Sequence, residues 1–552
     1  MPEMTGGQAL ARTLKQEGIR TVFGLPGVQL DWAFDALYEE RGAIQVVHTR
    51  HEQAAAYMAD GYARTTGQIG TYLVVPGPGV LNTMAALATA YACSSPVLCL
   101  TGQIQSDLID LGRGLLHEVP DQLGILRHVT KWAGRAATPG EIPGIVHEAC
   151  RQLRSGRPRP VAIEIPPDVL QRRADVDIGQ PLPPERTAGD PEALEKAAEA
   201  LGRAERPIIL AGGGVLAAGA WDELRQVAEM LEAPVLMSGN GRGALSDRHP
   251  LASNVYALPA LMPTADAVLA VGTRMVLGGA NLIQVGARPL VRIDANAAQF
   301  HRSVAPTIGV AGDARLALAE LANRLGRHNR QRASRRAEMD EVRRALDKQL
   351  GAVEPQASFG RALRDELPDD AIVIGESTQV GYWARFGFPV YAPRSYVGSG
   401  YQGTLGNGFP TGLGAQVGNP SRRVVSLNGD GGFMFNVQEL ATAAQHRIPL
   451  TTVVFDDGAF GNVRRIQENQ FGGRTIASEL RNPGFAKLAE LHGMLGIKAE
   501  GPDAFRAALR DALASESPSL IEVPVGVMPM FLRQMQTIAQ RMAERVPAGR
   551  VV

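Results

Sequence analysis

The sequence predicts an α/β protein built from three doubly wound parallel-sheet domains, and three observations predict it. Short β-branched runs alternate with helix-forming stretches along most of the chain, the pattern of strand–helix–strand units. The length of 552 residues exceeds what one core organises, against a prior of about 150 residues per domain. Two connecting stretches, one rich in proline and one in Arg and Glu, divide the alternation into three segments.

The first segment covers residues 1–178. Ile44-Gln45-Val46-Val47 reads as a strand, and a helix opens at Glu52. Residues 70–75 form the next strand, closed by the Pro76-Gly77-Pro78-Gly79 turn. Asn82 is expected to start an Ala-rich helix, followed by a strand at 96–100. Residues 179–191 form a proline-rich linker. The central, Rossmann-like segment covers 190–328 and opens with a strand at 207–211. Residues 327–348, dense in Arg and Glu, read as a solvated helix and connector. The third segment, 355–552, carries buried strands at 424–427 and 450–455, with a helix expected from Asn436 to Gln445.

Lys plus Arg and Asp plus Glu are both 56, so no basic field exists to hold nucleic acid or an acidic membrane. A phosphate ligand then has to be held locally, by backbone N–H groups and a metal. Three cysteines without a CxxC spacing argue against a disulfide framework or a zinc site. Residues 1–7 lack signal-peptide character, and no uncharged apolar run approaches about 18 residues. A cytoplasmic protein with no nucleic-acid and no membrane partner is expected.

Two motifs carry the chemistry. Asp430, in Gly429-Asp430-Gly431-Gly432-Phe433, and Asp457, in Asp457-Gly458-Ala459-Phe460-Gly461, each follow a buried strand. Acids at successive strand ends of a parallel sheet lie where ligands collect. Mg²⁺ is commonly held there by one or two carboxylates and phosphate oxygens. Gly429, Gly431 and Gly432 allow backbone to approach a diphosphate. Gly-Asp-Gly alone is an ordinary turn; the flanking strand and the second acid give it meaning. Far away, Glu52 opens its helix with Ala55, Ala56 and Ala59 on or near one face, a small-residue surface for a flat ring. An acid in a first helical turn is favoured in any case.

Together these stretches resemble the thiamin-diphosphate enzymes of the acetohydroxyacid synthase and benzoylformate decarboxylase kind. The resemblance covers nearly the whole chain, including Gly24-Leu25-Pro26-Gly27, Thr101-Gly102-Gln103 and Thr130-Lys131-Trp132. It implies thiamin diphosphate and Mg²⁺ as cofactors. Asp430, the side chain of Asp457 and the carbonyl of Ala459 become metal ligands, although position 457 is usually Asn in the family. Pro26, Gly403, Phe460 and Gly461 join the cofactor-binding set. Ser377, Thr378 and Gln379 match the diphosphate-holding Glu-Ser-Thr stretch of benzoylformate decarboxylase. Leu405 takes the place of the apolar wedge between the two thiamin rings. In the family the glutamate matching Glu52 hydrogen-bonds the aminopyrimidine, and the resemblance implies that role here. The family places this glutamate on one subunit and the metal on its partner, so a homo-oligomer with sites across a dimer interface is expected.

The implied reaction is decarboxylation of a 2-oxo acid, with or without ligation of the acyl anion. Cleavage of a 2-hydroxyacyl substrate is the alternative enzyme reading. A catalytically silent family member used for binding or assembly is the other class. Departures fall where substrate is chosen. Asn462 and Ile466 replace the synthase Met and Trp, and Leu116-His117 replaces its Phe-Gln pair. An imidazole can move protons near neutrality, so His117 is a catalytic candidate beside Gln103, a polar contact for the bound substrate. Glu118 and Asp121 offer the plainer reading of His117 as an ion-paired surface residue. Synthases and pyruvate oxidase carry FAD in the central domain. Gly212-Gly213-Gly214 and Gly272-Thr273-Arg274 follow strands there, yet GxGxxG is missing and Arg274-Met275-Val276-Leu277 replaces Arg-Phe-Asp-Asp, so FAD is not expected.

Overall fold

The computed structural model describes residues 2–278 and 281–544. Its frame is three six-stranded sheets, one for each segment, with every strand pair parallel. The first contains β1 (Thr21–Gly24), β2 (Gln45–His48), β3 (Gly70–Val74), β4 (Val97–Gly102), β5 (Trp132–Arg135) and β6 (Val161–Ile165), ordered β2-β1-β3-β4-β6-β5. The central sheet contains β7 (Pro207–Ala211), β8 (Val235–Met237), β9 (Ala252–Asn254), β10 (Ala267–Val271), β11 (Leu290–Asp294) and β12 (Ile308–Ala311), ordered β9-β8-β7-β10-β11-β12. The third contains β13 (Ile372–Gly375), β14 (Tyr396–Gly398), β15 (Val424–Gly429), β16 (Thr451–Asp456), β17 (Leu495–Lys498) and β18 (Ser519–Pro524), ordered β14-β13-β15-β16-β18-β17.

In each sheet the chain runs first one way and then reverses past its opening strand. The crevice at that reversal, beyond the carboxyl ends, is where an open α/β sheet binds its ligand. It lies between β1 and β3, between β7 and β10, and between β13 and β15. Strands such as β3, β4 and β16 are apolar because helices cover both sheet faces; β3 and β4 are buried throughout.

The helices that position the site are α1 (Glu52–Thr66), α2 (Pro78–Cys93), α3 (Gln122–Val129), α4 (Arg336–Gly351), α5 (Gln379–Gly387), α6 (Gly408–Gly418) and α7 (Gly461–Gln470). The closest packing in the site's frame is α1 of the first domain against α6 of the third. A Cβ on Gly61 would collide with the Thr411 carbonyl, and one on Gly414 with the Met58 carbonyl. The two backbones are therefore in direct contact.

Three sequence expectations change. Helix α2 begins at Pro78 rather than Asn82, because proline fits the first helical turn, where its missing N–H would have had no partner. The Arg/Glu-rich connector is not wholly solvated: α4 buries Met339, Ala345, Leu346 and Leu350 in the core that continues into the third domain. The helix expected over 436–445 is broken. Asp430–Phe433, Met434–Glu439 and Leu440–Gln445 are separate short turns with a kink at Asn436. Asn436 leaves helical geometry because its buried Nδ2 donates to the Gly406 carbonyl at 2.6 Å. Among the described residues no helix is long and apolar enough to cross a membrane.

Candidate active site

The third sheet brings Asp430 and Asp457 to the ends of the adjacent strands β15 and β16, paired from Val425 with Thr451 to Gly429 with Phe455. Asp430 is buried, and desolvation pushes its carboxyl up to about 7, with the charge of Asp457 pushing the same way. Burial also raises Asp457. Acids arranged so are held in their charged form by a cation. Asn482, which the sequence reading passed over, donates from Nδ2 to Asp430 at 2.6 Å and to Asp456 at 2.8 Å. Ala459 is fixed beside them by a bridge to Glu479, and Phe460 N–H donates to the Ser478 carbonyl at 2.8 Å. The extra charge of Asp457, where the family has Asn, faces the nearly buried guanidinium of Arg465 on α7 at 4.0 Å.

Ser377 and Thr378 follow β13 on the other side of the crevice and are half-buried. A Cβ on Gly429 would meet nothing nearer than Thr378 Cβ at 3.8 Å, so protein packing does not fill this corner. Gln379 is engaged at both ends: its Nε2 donates to Asn462 at 2.8 Å and its Oε1 accepts from Phe531 N–H at 2.9 Å. Glu376 is fully buried behind this floor. Its Oε1 accepts from Gly406 N–H at 2.6 Å, its Oε2 has no protein partner, and burial pushes it up to about 7.

Leu405 sits half-buried on the loop before α6, with Gly403 exposed two residues earlier. Two anchors set this loop: Gly406, at φ +83°, lies against Phe435, and Thr404 Oγ1 meets Thr89 Oγ1 of α2 at 2.9 Å. Carboxylate pair, open glycine corner and hydroxyls together make a donor set suited to a divalent cation and a diphosphate. The residues present fit thiamin diphosphate at this end.

Glu52 is half-buried at the start of α1, where His51 caps the helix by accepting from Gln53 N–H at 3.1 Å. A second residue missed in the sequence, Asn82 of α2, donates to Glu52 Oε2 at 2.9 Å and holds its carboxylate. The signal was faint: an Asn four residues into an Ala-rich helix. Behind Glu52, the Arg50 N–H donates to the buried Glu439 of the third domain at 3.1 Å. Among the described residues, no hydrogen bond or ion pair joins Glu52 to Asp430 or Asp457 within the chain.

Pro26 is exposed on the loop after β1, and Gln103 is buried after β4 with its Oε1 taken by the N–H of Ile104 at 2.8 Å. His117 lies above the β1/β3 reversal. Neither neighbouring acid pairs with it: Glu118 accepts from Leu115 N–H at 2.8 Å and Asp121 caps α3 through Gly124 N–H at 2.9 Å. Backbone N–H groups, Leu115 first, hold Glu118 below the ordinary carboxylate range.

The central reversal is open as well. A cavity of about 580 Å³ is lined by both glycine stretches, Gly212–Gly214 and Gly272, with Arg157, Arg274 and Asp294. Its lining mixes arginines with Glu17, Asp294 and Asp313.

Comparison with known proteins gives matches in all three segments. Residues 4–125 match the "Thiamine pyrophosphate enzyme, N-terminal TPP binding domain", 194–321 its "central domain", and 376–523 its "C-terminal TPP binding domain". The chain is 34% identical to the "Probable acetolactate synthase large subunit" of Methanocaldococcus jannaschii, over 96% of this chain and 93% of the relative. It is 36% identical to a "Probable 2-ketoarginine decarboxylase" of Pseudomonas aeruginosa, over 94% of each. To the "Acetolactate synthase isozyme 3 large subunit" of Escherichia coli it is 32% identical, over 93% of each.

Proposed function

This chain belongs to the thiamine pyrophosphate enzymes, and from that premise we propose that it decarboxylates a 2-oxo acid with thiamin diphosphate and Mg²⁺, with or without ligation of the acyl anion. One observation carries the reading: the pair of buried Asp430 and half-buried Asp457, both with raised pKa, at the reversal of a sheet whose glycine corner is left open. Asp430, Asp457 and the Ala459 carbonyl would hold the metal, and Ser377 and Thr378 the diphosphate oxygens. When bound, the cofactor supplies a carbanion and an electron sink for a carbon–carbon bond next to a carbonyl. Glu52, steadied by Asn82, would hold a proton against the aminopyrimidine ring. Leu405 would press between the two rings. His117 would move a proton at the reacting carbon, and Gln103 would offer its free amide N–H to the bound substrate.

Support for a site across a homodimer comes from the surface. Exposed large apolar side chains flank four of the positions: Val28 beside Pro26, Leu81 beside Asn82, Leu116 beside His117, and Phe435 after the Asp430 turn. Acetolactate formation is disfavoured by Asn462 and Ile466, and among the relatives one carries the name of a decarboxylase.

The test is a panel of 2-oxo acids, cationic side chains included, with products identified by mass spectrometry. Chelator-stripped protein should turn over only when both thiamin diphosphate and a divalent cation are restored. Turnover of 2-hydroxyacyl substrates alone would favour the lyase reading. Cofactor binding with no turnover on either class would leave a silent family member.

A further inference from the structure

His117 has a partner that sequence reading did not reach. Gln29, nearly buried on the loop after β1, places its Oε1 3.0 Å from His117 Nδ1, while its Nε2 donates to the Leu116 carbonyl at 3.2 Å. We propose that Gln29 is a positioning residue that fixes the tautomer of His117, so that Nδ1 carries the proton and Nε2 keeps its lone pair for the substrate.

The argument runs from the Leu116 carbonyl, which can only accept. The amide nitrogen of Gln29 has to face it, and the amide oxygen is thereby turned to the imidazole. That oxygen also only accepts, so the ring nitrogen opposite must be Nδ1–H. Neutral imidazole has a single N–H, which leaves Nε2 unprotonated. Among the described residues Nε2 makes no protein hydrogen bond.

The backbone is held as tightly as the ring. His117 has φ +67°, a left-handed conformation uncommon for a non-glycine residue, although histidine adopts it more readily than most. Its carbonyl is packed from below. A Cβ on Gly77 would collide with the His117 carbonyl, and Gly77 N–H donates to Gln122 Oε1 at 2.7 Å. Gln122 Nε2 in turn donates to the Gly102 carbonyl at 3.1 Å and to the fully buried Glu164 at 2.8 Å, and Glu164 is ion-paired with Arg135. A chain of buried polar contacts from β6 through α3 thus fixes Gly77, against which the His117 carbonyl lies.

The proposal deepens the reading of His117 given above and rests on it for its catalytic meaning, but its structural content is separable. The experiment is long-range ¹H–¹⁵N spectroscopy of histidine-labelled holoenzyme, with His117→Gln used to assign the resonance. Native protein should show His117 with a protonated Nδ1 and a lone-pair Nε2. Gln29→Leu should move the proton to Nε2 or average the two nitrogens, with cofactor retention unchanged and turnover reduced roughly tenfold or more. Gln29→Glu, which keeps an acceptor oxygen, should restore the Nδ1–H tautomer. A native proton on Nε2, or a tautomer indifferent to Gln29→Leu or, should that variant not fold, absent from Gln29→Glu, overturns the proposal. An Nδ1–H tautomer together with native turnover in His117→Gln would keep the positioning role and remove the catalytic one.

Discussion

The first and third sheets share one strand order, and both turn at glycine beyond the reversal, yet their crevices are built from opposite chemistry. The third gathers Asp430, Asp456 and Asp457, with the nearly buried guanidinium of Arg465 facing Asp457. Burial pushes the carboxyls of Asp430 and Asp457 up, and a bound cation would favour their charged form. The first gathers His117 and the amides of Gln29, Gln103 and Gln122, whose hydrogen bonds are made mostly within the protein. In the proposed reading the third sheet's end would take the metal, and the first sheet's end, largely pre-organised by its own hydrogen bonds, would move protons. The same scaffold yields both because only its loops differ.

The harshest way to break this contrast is Asp430→Ala. Thiamin diphosphate affinity in the presence of Mg²⁺ should fall roughly 100-fold or more, measured by calorimetry. Unchanged affinity would move the metal elsewhere. Next, Glu52→Gln should retain cofactor while slowing hydrogen–deuterium exchange at the thiazolium C2 by about 10²- to 10⁴-fold. Native exchange would return Glu52 to a helix-terminal acid. His117→Gln should leave cofactor and metal affinities alone and lower turnover roughly tenfold, or shift the ratio of aldehyde to ligated product. Arg465→Gln sharpens the picture further: with Asp457 unpaired, Mg²⁺ should bind a few-fold more tightly and the diphosphate a few-fold more weakly. The double change with Asp457→Asn should cancel both shifts; additive effects would show that the two side chains do not balance each other.

The smallest effect concerns Glu376. Burial raises its pKa from the ordinary 4.5 to about 7, so the folded chain holds a proton there that the unfolded chain has released. Its contribution to stability therefore declines as pH rises between those two values and is fully unfavourable above about 7. Glu376→Gln should gain melting temperature over the native chain at pH 8 but not at pH 5. Equal differences at the two values would mean the group is ionised throughout.

What the sequence revealed follows from how local each signal is. Asp430 and Asp457 were legible because each ends an apolar strand, and parallel pairing of successive strands brings such ends together. Glu52 was legible from its helix start and small neighbours. Asn82, Glu376, Asn482 and Gln29 were not, because each gains its role from a partner dozens of residues away, as Glu376 does from Gly406. The central cavity was hidden for the same reason: Arg157 enters it from the first domain's side of the linker. The break at Asn436 was equally invisible, since a helix-compatible stretch yields to one buried hydrogen bond with the wedge loop.

The backbone contact of α1 with α6 has a mechanical consequence. One helix starts at Glu52, the other just past Leu405, and at Gly61 and Gly414 there is no side chain between them to act as a bearing. Within one chain the start of α1 at Glu52 and the loop of Leu405 are thus tied together, and in the proposed dimer these two residues face different sites, so the contact would link one site to the other. A single methyl group at Gly414 would run into the Met58 carbonyl and force the two backbones apart.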